Sequence, residues 1–372
     1  MKIGLFPACL GRNDAGPETY ERELIAQLAA RAEDPHEYHV YCFNDSARQV
    51  VDRPGSRLNI HTLWPRFRAA SLSLSLPWLL ARHGVRVYHA TFVPALFSPA
   101  RMVFTMHDAS PFTHPQFYPD QIRRRLVPLI KRGLKTAKLI LCISEHCRQT
   151  TRELFHLPEE KLQVVHHGIS ASFHPVDASW ARATVDQRFN IHWPYVLYVG
   201  KLEARKNIRR LLQAFQQFRR ETGSEMKLVL AGRRFWDLED FDQTIAGLGL
   251  APHVIELGYV RQADLLALYG AASLFVFPSL WEGFGFPVLE AMKCGTPVVT
   301  SDISCLPEIA GGAAELVNPT DVEQIARAMA SVTSNPAARS EMIRKGLAQA
   351  ARFTWEASAM KTVELYQHAA VL

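Results

Sequence analysis

Short apolar runs that recur along the whole chain constrain its fold more than any other feature. Longer amphipathic stretches with the period of helices separate these runs, and the alternation is typical of parallel sheets covered by helices on both faces. The sequence therefore predicts an α/β fold with two doubly wound, Rossmann-like domains. The first series of runs comprises Ile3–Phe6, Tyr38–Phe43, Val87–Ala90, Met102–Met106 and Leu139–Ile143. The second series comprises Tyr195–Val199, Lys227–Ala231, Val254–Leu257, Leu274–Phe277 and Val298–Thr300.

The boundary between the two series falls near residues 172–190, where the sequence loses its periodicity before a new strand opens at Pro194. We therefore predict one domain over residues 1–180 and a second over residues 181–355. A chain of 372 residues is long enough for each domain to bury its own core. Because ligands of such folds lie beyond the carboxyl ends of the strands, the cleft between the domains is the predicted site.

A glycine-rich loop joins two of the apolar runs at residues 278–297, which read PSLWEGFGFPVLEAMKCGTP. Pro287 suits the first turn of a helix, and a loop that leads into a helix N-terminus binds phosphate through free N–H groups and the helix dipole. Glu282 lies in the loop and Glu290 lies about one turn into the helix. Since carboxylates do not bind phosphate, we expect these two to accept hydrogen bonds from the hydroxyl groups of a sugar and a ribose. The segment therefore predicts a nucleotide-sugar site.

Two adjacent cations form a second phosphate-type motif. Arg205 and Lys206 follow Gly200, which ends the first strand of the second domain, and precede the helix Ile208–Phe218. Cations at a strand end beside a helix N-terminus suit a diphosphate, because Arg offers forked hydrogen bonds and Lys a point charge. A solvent-exposed pair is the alternative, and the glycine-rich loop in the same sheet favours the binding role.

In the first domain, His107 and Asp108 directly follow the strand Met102–Met106 and so lie at its carboxyl end. His107 can hydrogen-bond a sugar hydroxyl or a phosphate oxygen, whereas a core histidine bonded to backbone is the alternative. Gly16 lies in the loop before the helix Thr19–Ala30, where glycine lets a ligand approach the backbone; an ordinary tight turn is the alternative. That loop contains no GxGxxG motif, so a dinucleotide cofactor is not indicated.

The net charge of +6 is concentrated in the first half of the chain. Residues 1–180 contain 22 Lys and Arg against 16 Asp and Glu, while the remainder contains 20 of each. Much of the excess lies at residues 121–138, where basic residues recur among apolar ones as on an amphipathic helix. Such a helix either rests on anionic lipid headgroups or is an ordinary solvated surface helix. No nucleic-acid-binding motif accompanies the charge, so we do not expect nucleic acid as a partner.

The sequence indicates a cytoplasmic protein. It begins with a strand-like run instead of the apolar span of a signal peptide, and no stretch approaches about 18 uninterrupted apolar residues. Six scattered cysteines without a CxxC pair fit buried thiols in a reducing compartment. If the basic helix binds lipid, we expect peripheral attachment to the inner face of the membrane.

Together these motifs resemble the family-4 glycosyltransferases, which retain anomeric configuration and have the GT-B fold. The resemblance rests on the spacing from Glu282 to Glu290, on Gly200 with Arg205-Lys206-Asn207, and on Thr105 with His107 and Asp108. It covers essentially the whole chain, including FTWE at residues 353–356, where the family's C-terminal helix crosses back to the first domain. Residues 356–372 are therefore expected to pack on that domain.

The resemblance implies transfer of a sugar from a nucleoside diphosphate donor. Arg205 and Lys206 would neutralise the leaving diphosphate, and Glu290 would bind the donor ribose. Glu282, with the backbone amides of Phe284, Gly285 and Phe286, would hold the sugar hydroxyls and the phosphate. The family pattern implies no firmly established nucleophile, so we assign no general base.

Further positions take roles from the same resemblance. His107 would lie beside the transferred sugar, and Gly16 near the phosphates and the acceptor, although the family's paired glycines are replaced here by DAGPET at residues 14–19. Lys201, where relatives often have Arg or a small residue, would add a phosphate contact. The base is expected near Gly232–Arg234 and Tyr259–Val260.

The resemblance implies no cofactor and no metal ion. Asp240-Phe-Asp242 matches a pattern of metal-dependent transferases, but it lies at a predicted helix start. Residues 104–119, FTMHDASPFTHPQFYP, resemble bacterial mannosyl- or rhamnosyltransferases of surface polysaccharide synthesis, which favours a GDP-sugar donor and a glycan or lipid-linked acceptor. A UDP-sugar donor and a non-catalytic nucleotide- or sugar-binding module are the alternatives.

Overall fold

The computed structural model describes the whole chain apart from residues 12–14, 32, 53–55, 193 and 236–239. It divides into two compact units: unit 1 comprises Met1–Gly168 and Thr354–Leu372, and unit 2 comprises Ile169–Phe353. The sequence predicts these boundaries at residues 180 and 355. Residues after Gly168 join unit 2 because Lys293 Nζ donates to the Ser170 carbonyl at 3.1 Å and the helix at residues 178–189 packs there.

Unit 1 is built on a parallel sheet, which within the described residues has seven strands in the order β3-β2-β1-β4-β5-β6-β7. The strands are β1 Lys2–Phe6, β2 Glu37–Cys42, β3 Leu58–Thr62, β4 Val87–Ala90, β5 Arg101–Met106, β6 Leu139–Cys142 and β7 Leu162–Val164. Its helices are α1 Ala15–Ala30, α2 Asp45–Val51, α3 Arg68–Ala70, α4 Leu76–Arg82, α5 Ser110–Thr113, α6 Asp120–Thr136, α7 Glu145–Phe155 and, from the C-terminal segment, α16 Trp355–Ala369. A π-helical turn at Ser71–Ser75 joins α3 to α4.

The central strands of unit 1 are the apolar runs of the sequence. All residues of β4 and β6 are buried, as expected for parallel strands covered on both faces. On one face of the sheet, α4 and α6 share a single core: Leu76 and Leu80 from α4 and Ile130 and Leu134 from α6 pack with Phe104 of β5. Both helices therefore cover the same core.

The C-terminal helix α16 is part of unit 1. Tyr366 lies fully buried, and its hydroxyl is 2.6 Å from Nδ1 of His89 in β4. The guanidinium of Arg86 donates to the Ala370 carbonyl at 3.0 Å, and Trp355 packs against His167. Unit 1 is thus assembled from two segments that are 185 residues apart in the chain.

Unit 2 repeats the architecture with a parallel sheet of six strands among the described residues, in the order β10-β9-β8-β11-β12-β13. The strands are β8 Tyr195–Val199, β9 Lys227–Ala231, β10 Val254–Gly258, β11 Leu274–Phe277, β12 Val298–Ser301 and β13 Glu315–Val317. The helices are α8 Ala178–Phe189, α9 Ile208–Thr222, α10 Phe241–Gly247, α11 Gln262–Ala271, α12 Phe286–Lys293, α13 Leu306–Ala310, α14 Val322–Ser334 and α15 Pro336–Ala350.

Two glycines bring the loops after β8 and β9 into backbone contact. The amide of Gly200 donates to the Ala231 carbonyl at 3.0 Å. A Cβ at position 232 would lie 1.7 Å from the carbonyl oxygen of Gly200, so only glycine fits there. This contact fixes the path of the chain from β8 toward Arg205 and Lys206.

The predicted α/β class with two parallel-sheet domains is confirmed. The predicted start of the first helix is wrong: α1 begins at Ala15 instead of Thr19, which places Gly16 in its first turn and not in the preceding loop. Residues 12–14 of that loop lie outside the described residues. Within the part of the chain that the structure describes, no helix has both the length and the apolar character needed to cross a bilayer.

Candidate active site

A buried ion cluster forms where β8 and β11 end. Lys206 Nζ donates to Glu282 Oε1 at 2.5 Å, and Arg205 NH1 lies 3.4 Å from Glu282 Oε2. Glu282 is 6% exposed and Lys206 9% exposed, so the pair is shielded from water. The structure thus brings together three residues that the sequence analysis places at the diphosphate and the sugar.

Opposing influences set the pKa of Glu282. Burial alone would raise it, but the charges of Lys206 and Arg205, with hydrogen bonds from Lys206 and Ser279, lower it below its usual range. The carboxylate is therefore ionised at neutral pH. Burial and the neighbouring Arg205 lower the pKa of Lys206, because two cations lie side by side.

A second glutamate holds the arginine. Glu203 accepts a hydrogen bond from Arg205 NH2 at 2.7 Å, while Arg205 NH1 donates to the Trp281 carbonyl at 2.9 Å. The guanidinium is thus fixed between the loops that follow β8 and β11. Glu203 is not predictable from the sequence, since its position two residues before Arg205 carries no recognisable signal.

Two polar side chains fix the backbone around the cluster. Asn207 adopts a left-handed conformation with φ of 63°, and its amide donates to the carbonyls of Pro278 at 3.0 Å and Pro319 at 2.6 Å. Ser279 is fully buried, and its hydroxyl oxygen lies 3.2 Å from the carbonyl oxygens of Arg205 and Trp281 and 2.7 Å from Glu282 Oε1. Asn and Ser are suited to such backbone-directed bonds, so these residues position the ionic groups without themselves carrying charge.

The helix that follows the cluster starts at a glycine. Gly285 has φ of 94°, and a Cβ there would lie 2.9 Å from Leu306 Cδ2, so glycine is needed at this turn. Pro287 occupies the first turn of α12, as predicted, where its missing N–H costs no hydrogen bond. Phe284 is buried and packs edge-on against Phe286 with ring centroids 5.1 Å apart.

Glu290 lies in α12 and has a different partner from Glu282. Its Oε2 accepts a hydrogen bond from the buried Tyr269 hydroxyl at 2.9 Å. Burial raises the pKa of Glu290 to about 7, and the bond from Tyr269 only partly opposes this. Glu290 thus holds a proton far more readily than Glu282, because burial dominates its pKa whereas Lys206 and Arg205 offset the burial of Glu282.

The remaining predicted residues of unit 2 are arranged around these loops. Lys201 is exposed, and its Nζ lies 5.4 Å from the ring centroid of Phe235. Gly232 packs on Gly200 as described above, and Val260 is partly buried in the loop between β10 and α11. None of these three contacts the Lys206–Glu282 pair in the interactions of the described residues.

The aspartates of the Asp240-Phe-Asp242 pattern have arginine partners. Asp240 directly precedes α10, as the sequence predicts, and pairs with Arg209. Asp242 accepts two hydrogen bonds of 2.7 Å from Arg234, which also binds Glu256. These carboxylates therefore form ion pairs with arginines near the end of β9.

In unit 1, His107 lies just beyond β5. Its Nε2 is 2.7 Å from the Thr91 carbonyl, so this nitrogen carries the proton and the ring is fixed. The ring is 5.2 Å from that of Tyr20 and 5.6 Å from that of Phe92. Burial lowers the pKa of His107 to about 4, and the imidazole is neutral at physiological pH.

A buried carboxyl group that no sequence motif indicates lies close to His107. Glu21 accepts hydrogen bonds from the Cys9 amide at 2.8 Å and from the Thr91 hydroxyl at 2.5 Å. Burial raises the pKa of Glu21 to about 8. Because Thr91 also supplies the carbonyl that holds His107, Glu21 links the loop after β1 to this histidine. A glutamate inside a helix gives no sequence signal for such a role.

Comparison with known proteins shows the family. The Glycosyltransferase Family 4 model matches residues 15–173, and the model for glycosyl transferases group 1 matches residues 186–349. The chain is 33% identical over 364 residues to O-antigen chain mannosyltransferase B of Escherichia coli, and the match covers 94% of both chains. This chain is a family-4 glycosyltransferase. The GT-B fold expected for such enzymes accounts for its two parallel-sheet units.

Other relatives of this glycosyltransferase extend the comparison. The serotype-specific mannosyltransferase WbdA of Escherichia coli is 30% identical over 276 residues, which are 73% of this chain and 34% of that relative. Among solved structures, Anabaena HepE in complex with UDP-glucose aligns with a TM-score of 0.79 and 19% identity, and covers 99% of this chain and all of that one. At 19% identity, the similarity to HepE supports the fold alone.

Proposed function

We propose that this glycosyltransferase moves a hexose of the mannose or rhamnose type from a GDP-sugar to a glycan or lipid-linked saccharide acceptor. The reaction would retain anomeric configuration, require no metal ion and serve cell-surface polysaccharide synthesis. The observation that carries the proposal is the match over nearly the full length of a relative named an O-antigen chain mannosyltransferase.

The ion cluster supplies the chemistry that such a transfer requires. Charge develops on the leaving diphosphate, and fixed cations in a water-poor site stabilise it strongly. The ammonium of Lys206 has three N–H donors, so it can bind a phosphate oxygen while keeping its bond to Glu282. Glu282 orients both cations through its two oxygens, and its predicted contact with the sugar hydroxyls stays a prediction.

The two cations also favour a reaction without a metal ion. Arg205 and Lys206 offer the positive charge that Mg²⁺ supplies to a diphosphate in metal-dependent transferases. The Asp240-Phe-Asp242 pattern supports the same proposal, since each of its carboxylates is engaged by an arginine. Glu290, with its raised pKa, is proposed to bind the ribose hydroxyls once ionised.

A panel of nucleotide-sugars tests the proposed activity. We expect slow hydrolysis of one GDP-hexose and faster release of GDP when a mannose-containing acceptor is added. NMR spectroscopy of the product should show the anomeric configuration of the donor. Tight binding without release of nucleoside diphosphate under any condition would instead favour the non-catalytic binding module.

The identity of the base is tested by thermal stability. We expect GDP to raise the melting temperature of the protein more than UDP at equal concentration, because the nucleotide with the lower dissociation constant stabilises the folded state more. Differential scanning fluorimetry over a range of nucleotide concentrations measures this ranking. A larger effect of UDP would assign the donor to the UDP-sugars.

Unit 1 has an exposed surface that fits a membrane-bound acceptor. Large apolar side chains on both sides of β4 are 58–79% exposed: Trp64, Phe67, Leu74 and Trp78 precede the strand, and Phe97 follows it. On helix α6 of the same unit, Arg124, Arg125 and Lys131 are exposed. Exposed tryptophans and a basic helix are features by which proteins attach to anionic bilayers.

Charge reversal tests this attachment. We expect the variant Arg124→Glu/Arg125→Glu/Lys131→Glu to bind vesicles with anionic lipid at least about 100-fold more weakly, since each basic residue contributes about 1 kcal/mol near such a surface. Vesicle sedimentation measures the change, and the affinity for nucleotide should stay the same. A matched reversal of three exposed cations in unit 2, Arg220→Glu/Arg327→Glu/Lys345→Glu, should leave vesicle binding intact. Equal losses in both variants would contradict a specific surface.

A further inference from the structure

Three histidines gather at one edge of the sheet in unit 1, apart from all residues assigned above. His39 lies on β2, His61 lies on the edge strand β3, and His83 directly follows α4. One ring nitrogen from each lies within 4.8 Å of the other two. His39 is buried, whereas His61 and His83 are partly exposed, so the cluster is accessible from solvent.

From this cluster we propose that His39, His61 and His83 bind a divalent transition-metal ion of the zinc type. Three imidazoles are a common protein ligand set for zinc, with water in the fourth position, whereas Mg²⁺ and Ca²⁺ prefer oxygen ligands. The ion would cross-link strands β2 and β3 with the C-terminal end of α4.

The distances are close to those that zinc requires. His39 Nδ1 and His61 Nε2 are 3.0 Å apart, and two nitrogens on a tetrahedral zinc ion are about 3.4 Å apart. The rings of His61 and His83 are stacked with centroids 4.2 Å apart, so His83 must rotate to direct its nitrogen at the ion. As a partly exposed side chain at a helix end, His83 can make this rotation.

Outer partners engage the far nitrogen of two of the three rings, and that of His39 already holds its ring in the orientation that ligation needs. Glu37 Oε1 lies 3.0 Å from His39 Nε2, which keeps the proton there and leaves Nδ1 as a lone-pair donor. The Tyr41 hydroxyl lies 3.0 Å from His83 Nδ1, which leaves Nε2 of His83 for the ion. Carboxylate and hydroxyl partners on the far side of a ligating imidazole are typical of metal sites.

The rings are also in the form that binds metal. Burial and the neighbouring His83 and His39 lower the pKa of His61 to about 4. The His61 ring is therefore neutral near pH 7, and zinc does not compete with protons for a charged imidazolium. The carboxylate of Glu37 would offset part of the charge of the ion.

Calorimetric titration of the full-length, untagged and chelator-treated protein with Zn²⁺ tests the proposal. We expect one ion per chain, binding at least about tenfold weaker in His61→Ala and in His83→Ala, and a loss of about 10- to 100-fold in Glu37→Gln, which keeps all three imidazoles. His192→Ala, which removes an exposed histidine of unit 2, is the matched control and should bind as the unchanged protein does. Circular dichroism verifies that each variant is folded.

Two further measurements make the outcome decisive. Co²⁺ in place of Zn²⁺ should give the visible absorption of a tetrahedral ion, and His61→Ala should lose it. Zinc at about 100 times its dissociation constant should raise the melting temperature by about 5–10 °C in the unchanged protein and much less in His61→Ala. Absence of one-to-one binding, or binding that survives both histidine substitutions, would show that the cluster is only a hydrogen-bonded stack of neutral rings.

Discussion

Replacement of Lys206 by methionine is expected to lower the free energy of unfolding of unit 2 by about 3–5 kcal/mol, because it leaves the buried carboxylate of Glu282 without its closest cation. Arg205 at 3.4 Å compensates only part of that charge. The same change should abolish sugar transfer if Lys206 stabilises the leaving diphosphate. Urea denaturation, followed by fluorescence with and without nucleotide, measures the first effect, and release of nucleoside diphosphate measures the second.

A double-mutant cycle separates the ion pair from simple loss of packing. Glu282→Gln should also destabilise the protein, but the double variant Lys206→Met/Glu282→Gln should cost clearly less than the sum of the single changes. Lys201→Met is the matched control, since this exposed lysine in the same loop should change the free energy of unfolding by less than about 0.5 kcal/mol. Strictly additive effects would mean that the two charges do not interact.

Glu290→Ala is expected to weaken nucleotide binding by about 100-fold. Two hydrogen bonds from ribose hydroxyls to a carboxylate contribute about 3 kcal/mol, which corresponds to this change in the dissociation constant. Isothermal titration calorimetry with GDP measures it. Glu323→Ala, on the exposed surface of α14, should leave the affinity unchanged. An unaltered affinity in Glu290→Ala would place the ribose elsewhere.

The raised pKa of Glu290 adds a pH dependence to this binding. Since its pKa is about 7 and the ionised form is proposed to accept both ribose hydroxyls, the affinity for nucleotide should fall by up to about tenfold per pH unit below pH 7. Above pH 7 this contribution should be constant. In the nucleotide-free protein the folded form binds the proton more tightly than the unfolded form, so the contribution of Glu290 to stability falls as pH rises from about 4.5 to 7. Glu290→Gln should remove both dependences.

Much of the fold could be predicted from apolar runs because central parallel strands are buried on both faces. The predicted bounds of Val87–Ala90 and Tyr195–Val199 agree with β4 and β8 to the residue. The strands β3, β7 and β13 were missed, and all three lie at sheet edges. Edge strands are short and half-covered, so β3 with its sequence LNIHT carries polar residues that hide the strand signal.

The candidate site, like the fold, could be predicted from the sequence only in part. Spacing along the chain predicts that Arg205, Lys206 and Glu282 lie near a helix N-terminus, and the structure brings them into contact. It does not predict that Glu282 pairs with Lys206, or that Tyr269 reaches Glu290, because those contacts depend on how separate strands and helices pack. Sequence motifs therefore locate the charges, whereas their partners and pKa values follow from tertiary structure.

The return of α16 to unit 1 has a consequence for biosynthesis. A ribosome delivers all of unit 2 before Tyr366, the residue whose hydroxyl reaches His89, has been translated. Unit 2 is continuous in the chain and can fold as it leaves the ribosome. Until α16 is translated, the first 168 residues expose the surface on which α16 packs. We therefore expect the second half of this polypeptide to mature first, in reverse of the usual order, with chaperones occupying the exposed surface of the nascent N-terminal half in the interval.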